Sequence, residues 1–386
     1  MLFSEVIGQE EIKAKLRNLV EHNRLSHALL LSASEGAGGL PLALAFAQFL
    51  VCERVSKVIS GESLPAESCN ECPACVKAMQ LIHPDIHYTY PVVPKKPGDK
   101  PVSTDFITEW RDFIFQFPYG TVFDWLQFIG AENKQGNITA HECNDINRKL
   151  SLKSFESGYK ILVIWMPEYL GNEGNKLLKL IEEPPADTLF IMVTENEAQI
   201  LPTVLSRLQI IRLPRPSVSE IQNALISKGG VTPGQARQLA AVSEQNYREA
   251  LRQLQHGQDD WQGLLREWLN AVLRSGPLAQ IKWVEEISRE GREKQKQFLQ
   301  YFGHLLEQAI RLRMSEGTLA DLPDSEKDFA LRLNKTADLS AQQAIAEEIS
   351  RSIYYIERNA HAKMLFHALT IRLYHILSNR EEAVMT

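Results

Sequence analysis

The chain has 386 residues, a length that suggests two or three domains. Its 44% hydrophobic and 23% charged content is that of an ordinary globular protein, and no apolar run approaches the roughly 20 residues that a membrane span requires. A net charge of −6 excludes a global attraction to nucleic acid, and an odd count of five cysteines argues against a disulfide framework.

The N-terminus, MLFSEVIGQEEIK, carries early acids and no long apolar core, so it does not read as a secretion signal, and a cytoplasmic protein is expected. A short apolar run from Ala28 to Leu31 predicts a strand buried on both faces. The turn after it has the outline of a phosphate-binding loop, G-x-x-x-x-G-K-S/T, laid over Ala33 to Leu40. Gly36 and Gly38 keep the turn, but Gly39 stands where the phosphate-binding lysine belongs and Leu40 where the magnesium-binding hydroxyl belongs. Glu35 adds a negative charge beside a place suited to polyphosphate, and Pro41 fits the first turn of the following helix. This reads as a strand-to-helix turn that binds no ATP.

Cys69, Cys72 and Cys75 hold three thiols at turn spacing, which suits one tetrahedral, structural zinc ion. A fourth ligand could be Cys52, His83 or Cys143. A second strand is expected over Asp85 to Val93. Residues 91–137 then interrupt the pattern, with a proline-punctuated loop followed by nine aromatics between Phe106 and Phe128. They read either as an inserted helical element with a small core of its own or as an aromatic partner-binding surface.

Tyr159 to Met166 predicts a third strand, ending in Trp165 and Met166 where a nucleotide hydrolase carries its magnesium-binding acid. Glu168 comes two residues late and follows Pro167. NKLLKLIEEPP is a helix end, stopped by its proline pair. Strands at Thr188 to Thr194 and Leu208 to Leu213 flank LPTVLSRLQ, in which Arg207 closes a short helix. The alternation predicts a parallel sheet with helices on both faces over residues 1–213. After Pro214 and Pro216 no strand signal remains. Residues 214–257 read as a small helical domain, its first helix capped by Ser217 or Ser219 and stopped at Gly229 and Gly230. Residues 258–386 read as a third, all-helical domain in which Trp261, Leu264, Leu265, Trp268, Leu269, Val272 and Leu273 share one face.

Taken together, VIGQEEIKAKL, the degenerate loop, C-x-x-C-x-x-C, HPD, YKILVIW, NKLLKLIEEPPADTLFIMVTE and LPTVLSR resemble the delta-prime subunits of bacterial DNA polymerase III clamp loaders, over roughly residues 1–255. The resemblance implies an AAA+ architecture: a RecA-like domain, a helical lid and a helical collar. It implies a subunit of a five-membered ring that does not hydrolyse ATP itself. Its partners would be ATPase subunits and a clamp-opening subunit, acting together on the sliding clamp and primed DNA. Such a subunit presents the arginine of a Ser-Arg-Cys motif to a neighbour's ATP; here the motif reads Ser206, Arg207, Leu208. The family's zinc module matches Cys52, Cys69, Cys72 and Cys75, while Thr194 and Arg248 fall at or near its two sensor positions. Two other readings are open: a self-sufficient AAA+ ATPase with a divergent site, and a zinc-containing DNA-binding adaptor. Gly39, Trp165 and the net charge count against them.

Overall fold

A computed structural model describes residues 1–56, 64–96, 98–132, 134–156, 158–256, 261–314, 324–358 and 360–378. Part of the expected metal module, residues 57–63, therefore lies outside the described residues. The chain divides into two units, Met1–Gly257 and Gln258–Thr386. No helix among the described residues is long and apolar enough to cross a membrane.

In the first unit the elements run α1 (Glu10–Glu21), β1 (Ala28–Ala33), α2 (Gly39–Val51), α3 (Glu53–Ser56), α4 (Pro73–Met79), β2 (Ile86–Thr89), α5 (Ile107–Gln116), α6 (Val122–Phe128), α7 (Ala140–Ser151), β3 (Lys160–Trp165), α8 (Leu178–Glu182), β4 (Thr188–Thr194), α9 (Pro202–Leu205) and β5 (Gln209–Leu213). The strands form one parallel sheet in the order β2-β3-β4-β1-β5. Every residue of β3 and β4 is buried, which is why these strands read as unbroken apolar runs. Side chains alternate between two layers. Leu29, Leu31, Ile161, Val163, Trp165, Ile191 and Val193 enter one core with α2, while Leu30, Leu162, Ile164, Phe190 and Met192 enter a second with residues of α7 to α9.

The second strand is shorter than the expected span to Val93. Pro91 has no N–H to give to a ladder. Tyr90 instead leaves the sheet, stacks on Trp110 at 4.0 Å, and donates its hydroxyl to the Ser103 carbonyl. This departure begins the 91–137 insertion. Its aromatics build neither a separate core nor an open aromatic surface. Trp110, Phe113 and Trp125 are buried in the same core as the sheet, and Trp165 lies 5.2 Å from Trp110 and 6.1 Å from Phe113. The large indole at the end of β3 is thus the contact through which the insertion packs on the sheet.

Three further helices complete this unit: α10 (Val218–Gly229), α11 (Pro233–Val242) and α12 (Tyr247–His256). Ser217, not Ser219, caps α10, in a reciprocal box with Glu220, and Gly230 ends it with φ +63°. The second unit contains α13 (Trp261–Asn270), α14 (Gly276–Ile287), α15 (Arg292–Met314), α16 (Asp324–Thr336), α17 (Leu339–Glu357) and α18 (Ala362–Ser378). Its core centres on Trp268, stacked on Trp283 at 4.7 Å and donating its indole N–H to Thr370. Leu265, Trp268 and Val272 share the buried face as expected, but Leu273 is 40% exposed. A π-helical stretch over Ala271–Ser275 widens the turn there and moves Leu273 out of phase.

Candidate functional site

The glycine-rich turn between β1 and α2 is closed by the protein itself. Gly36 has φ +74°, and a Cβ placed on it would lie 2.0 Å from Asn246 Oδ1, so the start of α12 rests directly on the loop. At Gly39, a Cβ would lie 2.9 Å from both Ala33 Cβ and Val193 Cγ1. The missing lysine is therefore more than an absent charge, because any side chain at this position would force Ala33 or Val193 to shift. Pro118, Tyr119, Gly120, Trp165, Met166 and Glu195 line the rest of the cleft, which leaves a cavity of only about 20 Å³.

Tyr119 is the central plug. It lies against Gly38, its hydroxyl accepts the Ile7 N–H at 2.9 Å, and its ring meets Tyr247 edge-on at 4.9 Å. Burial pushes its phenol pKa well above the ordinary range. Gln9 ties the same region together by donating to the carbonyls of Ala37 and Pro214.

Beside this plug stands an ion network. Arg248, at the start of α12 and 10% exposed at its side chain, donates to Asp124 from Nε at 2.7 Å and to Glu35 from NH1 at 3.2 Å. Asp124 also accepts from the Thr121 N–H, at 2.7 Å, as the partner in the capping box that starts α6. Burial opposes the Asp124 carboxylate, but the Arg248 guanidinium and the Thr121 donors hold its pKa below the usual value. Glu35 accepts a second bond from Asn246 Nδ2 at 3.2 Å. Thr194 gives its hydroxyl to Glu168 at 2.9 Å, so both candidate sensor residues are engaged with carboxylates.

Arg207 lies at the other end of the sheet. Leu29 is in register with Gln209, so Arg207 stands just before the N-terminal end of β5, whereas the loop begins after the C-terminal end of β1. At ~3.3 Å per residue the two are separated by on the order of 20 Å. Arg207 is paired: its guanidinium meets Glu182, from the end of α8, and donates to the Thr203 carbonyl at 2.6 Å and Ser206 Oγ at 3.2 Å. The Arg207 and Glu182 side chains remain 34% and 47% exposed. The role of Glu182 has no local signal in IEEPP, which reads only as a helix stop. Asp124 does have a local signal, T-x-x-D, but that pattern announces a cap and says nothing of Arg248.

The four cysteines Cys52, Cys69, Cys72 and Cys75 converge, with all sulfurs within 4.8 Å of one another. Cys52 follows the last turn of α2 and Cys72 caps α4. Backbone N–H groups of Cys69, Cys72 and Cys75 point at the sulfurs of Cys52, Cys69 and Cys72, at 3.3 to 3.4 Å. A tetrahedron with metal–sulfur bonds of about 2.3 Å spaces its sulfurs about 3.8 Å apart. Cys69 and Cys75 are 3.8 Å apart. Burial disfavours the Cys69 thiolate, yet N–H donors from Glu71 and Cys72 outweigh it and bring its pKa down to about 6. The other two ligand candidates lie elsewhere: His83 pairs with Glu156 at 3.2 Å, and Cys143 lies against the Glu173 carbonyl at 3.6 Å. The donor set can hold a metal ion.

Residues 8–217 match the model of a family described as DNA polymerase III, delta subunit. The delta' subunit of DNA polymerase III from Bacillus subtilis is 27% identical over 244 residues, 63% of this chain and 58% of that protein. The tau subunit from the same organism is 25% identical over 285 residues, 72% of this chain and 41% of that protein. The matched segments thus span about half the length of these curated relatives. Among solved structures, a DNA polymerase III gamma subunit-related protein from Thermotoga maritima aligns with 94% of this chain and 98% of its own, at 15% identity and a TM-score of 0.38. With more than half of its residues inside the family model, the chain belongs to the delta-prime-like DNA polymerase III clamp-loader family.

Proposed function

We propose that this chain is a non-catalytic, delta-prime subunit of a cytoplasmic DNA polymerase III clamp loader. It binds no ATP and lends Arg207, with Ser206, to the ATP held by a neighbouring subunit. In this reading the neighbours are ATPase subunits and a clamp-opening subunit in a hetero-pentameric ring that loads the sliding clamp onto primed DNA. The cysteine cluster holds a structural zinc, whose four thiolates leave no open position for chemistry.

One observation carries the reading. The arginine and the chain's own nucleotide cradle stand at opposite ends of the sheet, and Arg207 keeps 34% of its side chain exposed, against 10% for Arg248 at the cradle end. An arginine about 20 Å from the cradle of its own chain cannot serve it, but it can serve a site brought up by another subunit. Arginine suits that task because it stays charged and offers a rigid fork of donors to phosphate oxygens. Its tie to Glu182 is an exposed ion pair, worth about 0–1 kcal/mol, which a polyphosphate can displace. Leu208, in place of the motif's cysteine, is 9% exposed and packs in the core behind α7 to α9, so it anchors the segment without touching the arginine's task.

The experiment is to assemble the complex with Arg207→Ala and measure clamp-stimulated ATPase and clamp loading. Fingers given in trans raise phosphoryl transfer by roughly 10³ to 10⁵ in other nucleotide hydrolases; in a ring with several ATP sites the visible loss is smaller. Reduced ATPase and loading with assembly intact is the expected result. Undiminished loading by the assembled variant overturns it.

A further inference from the structure

The insertion that fills the cleft also joins the two parts of the first unit that flank it. Tyr119 bridges the N-terminal segment at Ile7 to the start of α12 at Tyr247, residues that are otherwise far apart in the chain. Asp124 takes the Nε side of the Arg248 fork, and Glu35 of the glycine-rich loop takes NH1. One arginine on α12 is thus clamped between a carboxylate from the loop and a carboxylate from the insertion. The backbone of the loop adds a steric contact, since Gly36 admits Asn246 where any larger residue would exclude it. Without Tyr119 and Asp124, the start of α12 would lose its ties to the insertion and keep the bonds of Asn246 and Arg248 to Glu35, at 3.2 Å each.

We propose that the 91–137 insertion is a built-in ligand: Tyr119 lines the cleft where a nucleotide would enter, Asp124 grips Arg248 beside it, and together they lock the α10–α12 helices onto the glycine-rich loop. The proposal rests on the non-catalytic reading of the same site and adds what that reading leaves open, namely why the cleft stays closed in a chain that binds no ATP. In a nucleotide-dependent protein the helices would close when the ligand arrives and open when it leaves. Here the closing groups are part of the chain itself, so closure requires no ligand. Asp124 is a positioning residue in this scheme, because it acts on the helices through Arg248 and touches no substrate.

The test is hydrogen–deuterium exchange on the full chain, comparing wild type with Asp124→Asn, Arg248→Gln, the double variant and Tyr119→Phe. Breaking one partner of a largely buried ion pair raises local opening on the order of 10- to 100-fold. That increase is expected in α10–α12 for Asp124→Asn, with β1, β3 and β4 as protected as before. The double variant should exchange no faster than Arg248→Gln alone, since the two act through one contact. Tyr119→Phe keeps the ring and removes only the acceptor for Ile7, so it should fold and give a smaller increase at the same amides. Unchanged α10–α12 exchange in Asp124→Asn or in Tyr119→Phe overturns the lock. So does an increase spread evenly over the sheet, which would make the insertion a mere part of the core. Titrating the same wild-type sample with a fluorescent magnesium–ATP analogue separates the two claims. Micromolar binding there would defeat the non-catalytic reading, while the exchange data decide the lock.

Discussion

At the C-terminal ends of the strands, Trp165 packs on Trp110, Tyr119 accepts the Ile7 N–H, and Arg248 pairs with Asp124, all within the chain. At the N-terminal end of β5, Arg207 is partly exposed, at 34% of its side chain, and tethered to a glutamate that is itself half exposed. Both ends belong to the same sheet, and both carry an arginine paired with a carboxylate. The difference is burial. A buried pair is held by the cost of leaving either charge unmatched, whereas an exposed pair can exchange its partner at little cost. In the proposed reading the first end is committed within the chain and the second offers its cation to a partner.

Removing the metal should have the largest effect, and it should fall on the cradle side. Cys52 ends α2, the helix that begins at the glycine-rich loop, so loss of the cluster frees the far end of that helix. Apparent binding energies in isolated zinc modules are roughly 10 kcal/mol or more. Cys72→Ser is expected to lose bound zinc and melting temperature together, by metal analysis and calorimetry. Full zinc content in that variant would remove the metal from the account. His83→Ala should leave zinc in place and Cys52→Ser should not.

Trp165→Ala comes next, at about 3–5 kcal/mol, because it empties a fully packed indole from between the sheet and the insertion. Urea denaturation measures it. A cost near that of a surface substitution would show that the insertion does not depend on the sheet, and the contrast between the ends would weaken.

Gly39→Lys should destabilise by roughly 1–3 kcal/mol and restore no ATP binding, since its Cβ already meets Ala33 and Val193. Tight nucleotide binding by this variant would mean that the cleft is a site lacking one charge and is not otherwise filled. The smallest effect belongs to the exposed end. Glu182→Gln should change stability by at most about 1 kcal/mol while leaving Arg207 in position to be used. A larger loss of melting temperature than in Gly39→Lys would make the Arg207 pair structural and reverse the comparison.

Much of this was legible along the chain. The strands β1, β3 and β4 announce themselves as apolar runs because both of their faces are covered, and a two-faced strand needs no alternation. The Ser217–Glu220 box and the Gly230 stop are written within single turns of helix. Three cysteines at C-x-x-C-x-x-C suggest a metal site by their spacing, and Gly39, Leu40 and Trp165 mark by residue type where the chain departs from a nucleotide-binding pattern.

What could not be read there depends on chain closure over long separations. Tyr119 reaches Ile7 across 112 residues, and Asp124 reaches Arg248 across 124. Glu182 finds Arg207 25 residues on, in a stretch where each half reads as ordinary helix punctuation. The aromatic insertion shows its composition in sequence but not its destination, because hydrophobic burial is non-directional and any apolar surface would accept it. Cys52 is chosen over His83 and Cys143 because the end of α2 brings its sulfur to the other three, while those two side chains are spent on Glu156 and the Glu173 carbonyl. Residue types and short-range spacing thus indicate which chemistry the chain could support, because those signals are local. The three-dimensional packing decides which of its charges are buried in pairs and which lie in partly exposed ones, because that depends on contacts made across the whole first unit.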